Sequence, residues 1–348
     1  MFRAAHPRRP DDADLSEQER APEWLIWGAL IVVYVVWGST YLAIRLVVET
    51  MPPLLSASGR FLVAGLLIYA VLVLRHGPRV MRLTRPELIG STFVGLALLL
   101  GGNGLVMLGE RDVPSGLAAL IIAVVPLWVV VLRLLFAEPV RRGTLLGVLV
   151  GFAGVGVLVV PRWAGGEVAL EGMLMLIVAG ASWALGSYYS RRLTLPADPF
   201  VSTAAQLVLG GLGLAVAGLL TGELGLLRPE RFSSESVISL LYLVFFGSIL
   251  AYTAYTWLLQ VTSVSKVATY AYVNPVVALL LGWAILAEEI GPSMIVGGAM
   301  IVVAVGLVIR TESRPRDYAA ALAAPPAPLA TPPAQATVRE DEAAVPDR

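Results

Sequence analysis

The chain has 348 residues, a formal net charge of zero and no cysteine; 57% of its residues are apolar and only 14% are charged. A soluble domain carries roughly a quarter of charged residues, so this composition excludes an ordinary water-soluble protein. The absence of cysteine excludes disulfides and thiolate chemistry, and the balanced charge gives no reason to expect a nucleic-acid partner. The histidines, His6 and His76, lie outside the apolar runs, so we expect no metal site and no cofactor.

The apolar residues come in runs of about twenty, the length that crosses roughly 30 Å of hydrocarbon. We therefore predict an all-α integral membrane protein with ten transmembrane helices. A polar segment, 1–23, precedes them and lacks the apolar core of a signal peptide; an Ala/Pro-rich tail, 311–348, follows them and is predicted to be disordered and cytoplasmic. In chain order the predicted spans are 24–48, 53–74, 87–109, 114–137, 143–160, 171–190, 199–221, 236–259, 265–287 and 291–310.

Two stretches of the chain resemble each other at a spacing of about 150 positions. Residues 115–138 and 265–289 each read as an apolar helix with a central proline, Pro126 or Pro275, and a carboxylate at the far end. Each half of the chain holds five predicted spans, an odd number, so the second half enters the membrane from the opposite side. The sequence thus predicts two inverted five-helix repeats, 24–160 and 171–310, an architecture common among secondary transporters.

The placement of arginine and lysine predicts the orientation. With a cytoplasmic N-terminus, most basic residues of the spans and loops fall on the inner side. The outer loops then carry only four arginines, Arg111, Arg162, Arg228 and Arg231. We therefore expect both termini to be cytoplasmic.

Several motifs recur in order along both halves. They are WGSTY at 37–41, a proline followed seven positions later by Arg-Phe within 53–61, NGLVMLGERDVPSGLAALIIAVVPLW at 103–128, and AYVNPVVALLLGWAILAEE at 271–289. These motifs resemble the EamA family of the drug/metabolite transporter (DMT) superfamily, and within it the ten-span bacterial inner-membrane exporters. The resemblance implies two EamA repeats, a central cavity and export of small metabolites, often amino acids or related compounds. One departure is that the helix-ending Gly-Glu common in the family appears here as Ala137-Glu138 and Ala287-Glu288.

Arg60 is the charge that the sequence places deepest in a span. It follows Pro53 by seven residues, which puts it roughly 10 Å from the start of its helix. A charge at that depth is costly unless it faces water or a partner. One hypothesis is that Arg60 points into the cavity and binds an anionic group such as a substrate carboxylate. The alternative is a structural role, in which it hydrogen bonds to carbonyls of neighbouring helices.

Aromatic, hydroxyl and amide side chains in the middle of the spans suit a cavity for an amphipathic solute, although such groups also pack helices together. The predicted substrate-binding residues are Trp37, Ser39, Tyr41, Arg60, Asn103, Trp183, Tyr188, Tyr255, Tyr272 and Asn274. Pro126 and Pro275 each remove a backbone hydrogen bond in mid-span. They are predicted to line the cavity or to act as hinges, and a fixed packing kink is the alternative.

The repeat and the composition favour a secondary transporter, not an enzyme, that works by alternating access. The resemblance implies that it lies in the inner membrane and exports a small organic metabolite. No Asp or Glu lies in mid-span, so coupling to an ion is unexplained unless an end carboxylate such as Glu110 serves. Three alternatives stay open: an exporter of drugs or lipophilic cations, a lipid-modifying membrane enzyme built on 110–112, and a channel. The expected partners are a small-molecule substrate and the lipid bilayer, with no nucleic acid; a homodimer is also compatible with the sequence.

Overall fold

The structure is a computed structural model. It describes residues 22–138, 140–164, 169–262, 264–267 and 269–312. The polar N-terminal segment up to residue 21 and the tail from residue 313 lie outside the described residues. Within the described ranges all regular secondary structure is helical. The helices are α1 Glu23–Thr50, α2 Pro53–His76, α3 Arg85–Gly109, α4 Ser115–Leu135, α5 Arg142–Ala164, α6 Leu170–Tyr189, α7 Pro199–Leu220, α8 Ser234–Leu259, α9 Tyr270–Leu286 and α10 Pro292–Glu312.

Nine of these helices, all except α9, are long and apolar enough to cross a membrane within the part of the chain that the structure describes. The apolar part of α9 is shorter, Val273–Leu286. Large apolar side chains also cover the outside of the bundle; Leu74 and Leu220 are 85% and 83% exposed. Such a surface is stable against lipid and not against water.

Two helices predicted as continuous are divided. In α4 the helix Ser115–Ile122 stops, and a second piece, Val125–Leu135, begins with Pro126 in its first turn. Proline is tolerated there because the first amides of a helix have no intrahelical acceptor. The predicted ninth span divides into the single turn Val264–Val267 and α9, which contains Pro275. The fourth helix of each half is therefore interrupted, directly before Pro126 in the first half and between Val267 and Tyr270, ahead of Pro275, in the second.

The third helix of each half contains a π-helical segment, a feature that the sequence did not indicate. In α3 the segment is Leu96–Gly104, and in α8 it is Leu243–Ala251. Long π-helical segments are rare and often mark functional sites. Their presence in both halves extends the repeat from the sequence to the backbone.

Helices of one half pack mainly against helices of the other half. The corresponding helices α2 and α7 pack together, and so do α5 and α10; α1 packs on α8 and α9, and α6 packs on α3 and α4. Glycines permit the closest approaches. A Cβ on Gly154 would lie 3.0 Å from the carbonyl oxygen of Gly297, and a Cβ on Gly297 would lie 2.8 Å from that of Gly154. The five-helix halves are thus interleaved, with an interface along most of their length.

Contacts between residues far apart in the sequence define the two ends of the bundle. At the end with the α1–α2 turn, the Thr50 hydroxyl donates to Ser236 Oγ at 2.7 Å. At the opposite end, Arg141 donates to the carbonyl oxygen of Thr311 at 3.0 Å. These are called the α1–α2 end and the α2–α3 end.

Candidate functional site

A cavity of about 70 Å³ lies between the two halves, lined by α1, α2, α3, α4, α6, α8 and α9. It is called the central cavity. Six of the predicted residues line it: Trp37, Tyr41, Arg60, Asn103, Trp183 and Asn274. They come from five helices that are far apart in sequence, so the fold brings them together.

Arg60 is the only charged side chain among the described residues that line the central cavity. Its side chain is almost fully buried, with 3% exposure. Its Nε donates to the Ser248 hydroxyl at 2.8 Å, and its Nη1 has no hydrogen-bond partner among the described residues. The guanidinium also lies 4.6 Å from the centre of the Phe61 ring. Arg60 therefore retains donor capacity inside the cavity.

The π-helical segment of α8 forms one wall of the central cavity. Ser248, the partner of Arg60, belongs to it, and so does Gly247, whose carbonyl oxygen accepts from Trp37 Nε1 at 3.2 Å. A Cβ on Gly247 would lie 2.9 Å from Arg60 Nη2. The absence of a side chain at Gly247 thus leaves room for the guanidinium.

Four aromatic rings pack together on the side of the central cavity that is nearer the α2–α3 end. The Trp37 ring lies 5.5 Å from those of Trp183 and Tyr270, both edge to face, and 4.8 Å from that of Tyr255. Edge-to-face rings pack tightly and resist displacement. The cluster separates the central cavity from a second cavity below it.

The second cavity measures about 300 Å³ and shares Val125 and Tyr270 with the central cavity. It lies toward the α2–α3 end and is called the vestibule. Tyr188, Tyr255 and Pro126, all singled out from the sequence, line the vestibule and not the central cavity. Its charged lining residues are Arg133, Arg191, Arg192 and Glu138, so positive charge predominates there.

Glu138 is held at the mouth of the vestibule. Its Oε1 accepts from the Tyr188 hydroxyl at 2.6 Å and forms an ion pair with Arg192, and its Oε2 lies 3.3 Å from Arg133 Nε. The hydrogen bond from Tyr188, with the charge of Arg192, lowers the pKa of Glu138 below its usual value. Glu138 therefore stays ionised at neutral pH, and its charge is balanced locally.

Glu288, the repeat counterpart of Glu138, closes the opposite end. Its two oxygens accept from the backbone amides of Ser115 and Gly116 at 2.8 and 3.0 Å. These amides begin α4, which follows Pro114 and has no capping side chain of its own. A carboxylate at a helix N-terminus is stabilised by the unpaired amides and by the helix dipole. The first half is thus joined to the second half at the α1–α2 end.

Comparison with known proteins identifies the family. The profile of the EamA-like transporter family matches residues 24–160 and 170–310. The chain belongs to the EamA-like transporter family. The two matched stretches correspond to the two halves that the sequence predicted, and they confirm the two EamA repeats.

Several relatives of this EamA-like chain are named as transporters or efflux pumps. The uncharacterized inner membrane transporter YedA of Escherichia coli (strain K12) is 38% identical over 286 residues, covering 81% of this chain and 90% of YedA. A probable amino-acid metabolite efflux pump of Salmonella typhimurium is 28% identical over 290 residues, covering 78% and 90%. A protein of known crystal structure shares the fold, with a TM-score of 0.58 at 19% identity over 84% of this chain and 98% of its own. The family and the nine long apolar helices of the described residues make this chain a multi-pass membrane transporter.

Some predicted residues of the EamA repeats lie elsewhere. Ser39 hydrogen bonds to the carbonyl oxygen of Val36 at 2.8 Å and to the Tyr242 hydroxyl at 2.6 Å, on the face of α1 that packs against α8. Pro275 lines neither cavity, although its neighbour Asn274 lines the central one. The side chain of Tyr272 lies outside the described residues.

Sequence reasoning also missed several residues of the site. Ser248 and Gly247 became recognisable only when the π-helical segment was known. Tyr252 lines the central cavity, and its hydroxyl donates to Gln206 Oε1 at 2.7 Å. Gln206 is the repeat counterpart of Arg60. Its Oε1 accepts from Tyr252, whereas Arg60 Nη1 has no hydrogen-bond partner among the described residues.

Proposed function

We propose that the protein exports small metabolites that carry an anionic group, such as amino acids or related compounds, by alternating access through the central cavity. The single observation that carries this proposal is Arg60, a buried guanidinium with an unpartnered Nη1 in the cavity between the two halves. The substrate carboxylate would bind Arg60, and its apolar part would contact the rings of Trp37 and Trp183.

The energetics of Arg60 favour an anionic ligand. An isolated charge inside a protein costs several kcal/mol unless it is paired. The hydroxyl of Ser248 satisfies one donor but supplies no negative charge. A carboxylate would supply both acceptor oxygens and charge, and the planar guanidinium suits it.

The vestibule supports the same substrate class. Its lining includes three arginines and the locally balanced Glu138. A cleft with one predominant sign of charge raises the local concentration of oppositely charged solutes. A carrier of lipophilic cations would need an acidic group at its site, and among the described residues none lines the central cavity.

The arrangement of the halves supports alternating access. We infer that the ten helices cross the membrane as two inverted five-helix repeats, with α9 as the shorter ninth span, and that the central cavity lies at their interface. Glu288 joins the halves by capping α4 at the α1–α2 end, and its counterpart Glu138 joins them by side-chain contacts at the vestibule. On the arginine distribution of the loops, the α2–α3 end is cytoplasmic, and this conformation presents its vestibule to the cytoplasm.

The experiment that tests the proposal is release from proteoliposomes. Vesicles with the purified protein are loaded with a pool of amino acids, nucleosides and organic cations, and the released solutes are identified by mass spectrometry against protein-free vesicles. We expect selective release of carboxylate-bearing solutes. Selective release of cations would replace the proposal with the drug-exporter alternative, and release of every small solute regardless of charge would indicate a channel.

A further inference from the structure

Four polar residues cluster at the α1–α2 end: Arg45, Glu110, Ser115 and Glu288. Glu110 and Ser115 are buried, and Arg45 and Glu288 are half-buried. Arg45 lies on α1, Glu110 directly follows α3, Ser115 begins α4, and Glu288 follows α9. The cluster therefore joins both halves at the end where Glu288 caps α4. Glu110 lines neither the central cavity nor the vestibule.

Glu110 is a buried carboxyl group without a hydrogen-bond partner. Its side chain has 0% exposure, and neither Oε1 nor Oε2 has a partner among the described residues. Arg45 lies beside it but donates its Nη1 hydrogen bonds to the backbone carbonyl oxygens of Glu110 and Arg111. An ionised carboxylate in this position would be desolvated with no hydrogen bond to compensate, so the neutral acid is the favoured form.

The charges around Glu110 agree with this protonation state. Burial raises the pKa of Glu110 well above its usual range, the negative charge of Glu288 raises it further, and Arg45 opposes the rise. Tyr41 of α1 is near enough to interact with Glu110 electrostatically. The acidic side chains of Asp112 on the same loop and Glu171 at the start of α6 are exposed to solvent.

The position of Glu110 connects it to the transport path. Val106, one helical turn before Glu110, lines the central cavity, and so does Tyr41. On the other side of Glu110, the contact of Glu288 with Ser115 and Gly116 closes the end of the bundle. Opening the α1–α2 end requires this contact to separate, which admits water to Glu110.

We propose that Glu110 is a proton-binding site, and that it binds a proton when the α1–α2 end closes and releases it when that end opens. The bond formed is between the proton, taken from water at the α1–α2 end, and a carboxylate oxygen of Glu110. The inference rests on the proposed function only for its role in a transport cycle, because proton binding is measurable without any substrate.

Linkage gives the sign of the pH effect. At a pH between the ordinary carboxyl pKa of about 4.3 and the raised pKa of Glu110 in the closed state, the closed state binds one proton more than the open state. Over that interval each unit of rising pH shifts the equilibrium toward the open state by about tenfold. Acid therefore favours closure of the α1–α2 end, and alkali favours its opening.

The first test is infrared spectroscopy of the purified protein at neutral pH. The wild-type protein is expected to show the carbonyl stretch of a protonated carboxylic acid. Glu110→Gln, which has the shape of the neutral acid, is expected to lose this band. The control Asp112→Asn, two residues away and exposed, is expected to keep it. Equal carboxylic-acid bands in the wild type and in Glu110→Gln would show that Glu110 is not the proton-binding site.

The second test measures opening directly and makes use of the cysteine-free chain. Ile44→Cys places a thiol in the central cavity, and Leu226→Cys places a reference thiol on the exposed α7–α8 loop at the same end. A membrane-impermeant maleimide is applied from that side, and the ratio of the two labelling rates removes the pH dependence of the thiols themselves. The ratio is expected to rise with pH by up to tenfold per unit.

In the Glu110→Gln background the ratio is expected to stay low and independent of pH, because the amide mimics the protonated closed state. A pH-independent labelling ratio in the wild type would contradict the proposed coupling between protonation of Glu110 and closure of the α1–α2 end. An unchanged pH dependence in Glu110→Gln would contradict it as well. A protein that shows the infrared band but releases no solute from proteoliposomes would refute the proposed function and leave the proton site standing.

Discussion

Ala137 and Ala287 hold a backbone conformation that normally requires glycine. Their φ angles are +55° and +51°. Ala137 directly precedes Glu138, and Ala287 directly precedes Glu288. Left-handed residues commonly end helices, and glycine adopts that conformation without a Cβ penalty. The sequence shows alanine where Gly-Glu would have glycine. Only the backbone shows that this alanine has a positive φ, which is unfavourable for a residue with a Cβ.

Replacing Ala287 with glycine is expected to stabilise the protein. Ala287→Gly removes the Cβ penalty, a gain of about 1 kcal/mol, and Ala137→Gly acts in the same way. The measurement is the thermal midpoint in detergent. The matched control Ala29→Gly, inside α1, is expected to destabilise by roughly the same amount. A lower midpoint for Ala287→Gly would contradict the conformational account.

Among the elements, the π-helical segment Leu243–Ala251 determines where Arg60 and Trp37 lie. The sequence indicated the helix α8 and the depth of Arg60. It did not indicate the π-helical segment, because that geometry depends on how neighbouring helices pack and not on a local pattern. The break in α4 differs in this respect, since Pro126 indicated irregular backbone there, whereas Pro275 lies inside the continuous helix α9.

Gly247→Ala tests the role of this segment. The added methyl would lie 2.9 Å from Arg60 Nη2 and 3.3 Å from Thr40 Cγ2, so the guanidinium must move. We expect release of carboxylate-bearing solutes from proteoliposomes to fall by about tenfold, equivalent to ~1.4 kcal/mol of binding or barrier.

The matched control for that change is Gly156→Ala in α5, where a Cβ meets nothing within 4 Å. Its transport is expected to equal that of the wild type. Rates are normalised to monodisperse protein, so that a folding defect is not counted as a transport defect. A wild-type rate for Gly247→Ala would show that the segment does not position Arg60.

For the whole molecule, the sequence predicted the class, the two halves and six residues that the fold gathers in one cavity. Those predictions rest on hydrophobic run length, on the repeat and on the depth of polar groups. The sequence could not predict that Tyr188 and Tyr255 line a separate vestibule. It also could not predict the contact between Glu288 and α4, because that contact joins residues more than 170 positions apart.

The orientation of the whole molecule yields a separate prediction. Single cysteines at two exposed sites, Leu226→Cys at the α1–α2 end and His76→Cys at the α2–α3 end, are introduced into the cysteine-free chain. The excess of arginine at the α2–α3 end predicts that this end is cytoplasmic. In intact cells an impermeant maleimide is therefore expected to label only the Leu226 variant. Labelling of the His76 variant alone would reverse the orientation.

The central claim is that Arg60 binds the anionic group of the transported solute. Its most direct test is the initial rate of release of carboxylate-bearing solutes from proteoliposomes that contain the wild type, Arg60→Gln or the exposed control Arg79→Gln. Gln is the residue at the equivalent position of the other half, Gln206, so the substitution is compatible with the fold. The account predicts at least a tenfold loss of rate for Arg60→Gln and no change for Arg79→Gln. Wild-type release by monodisperse Arg60→Gln would contradict it.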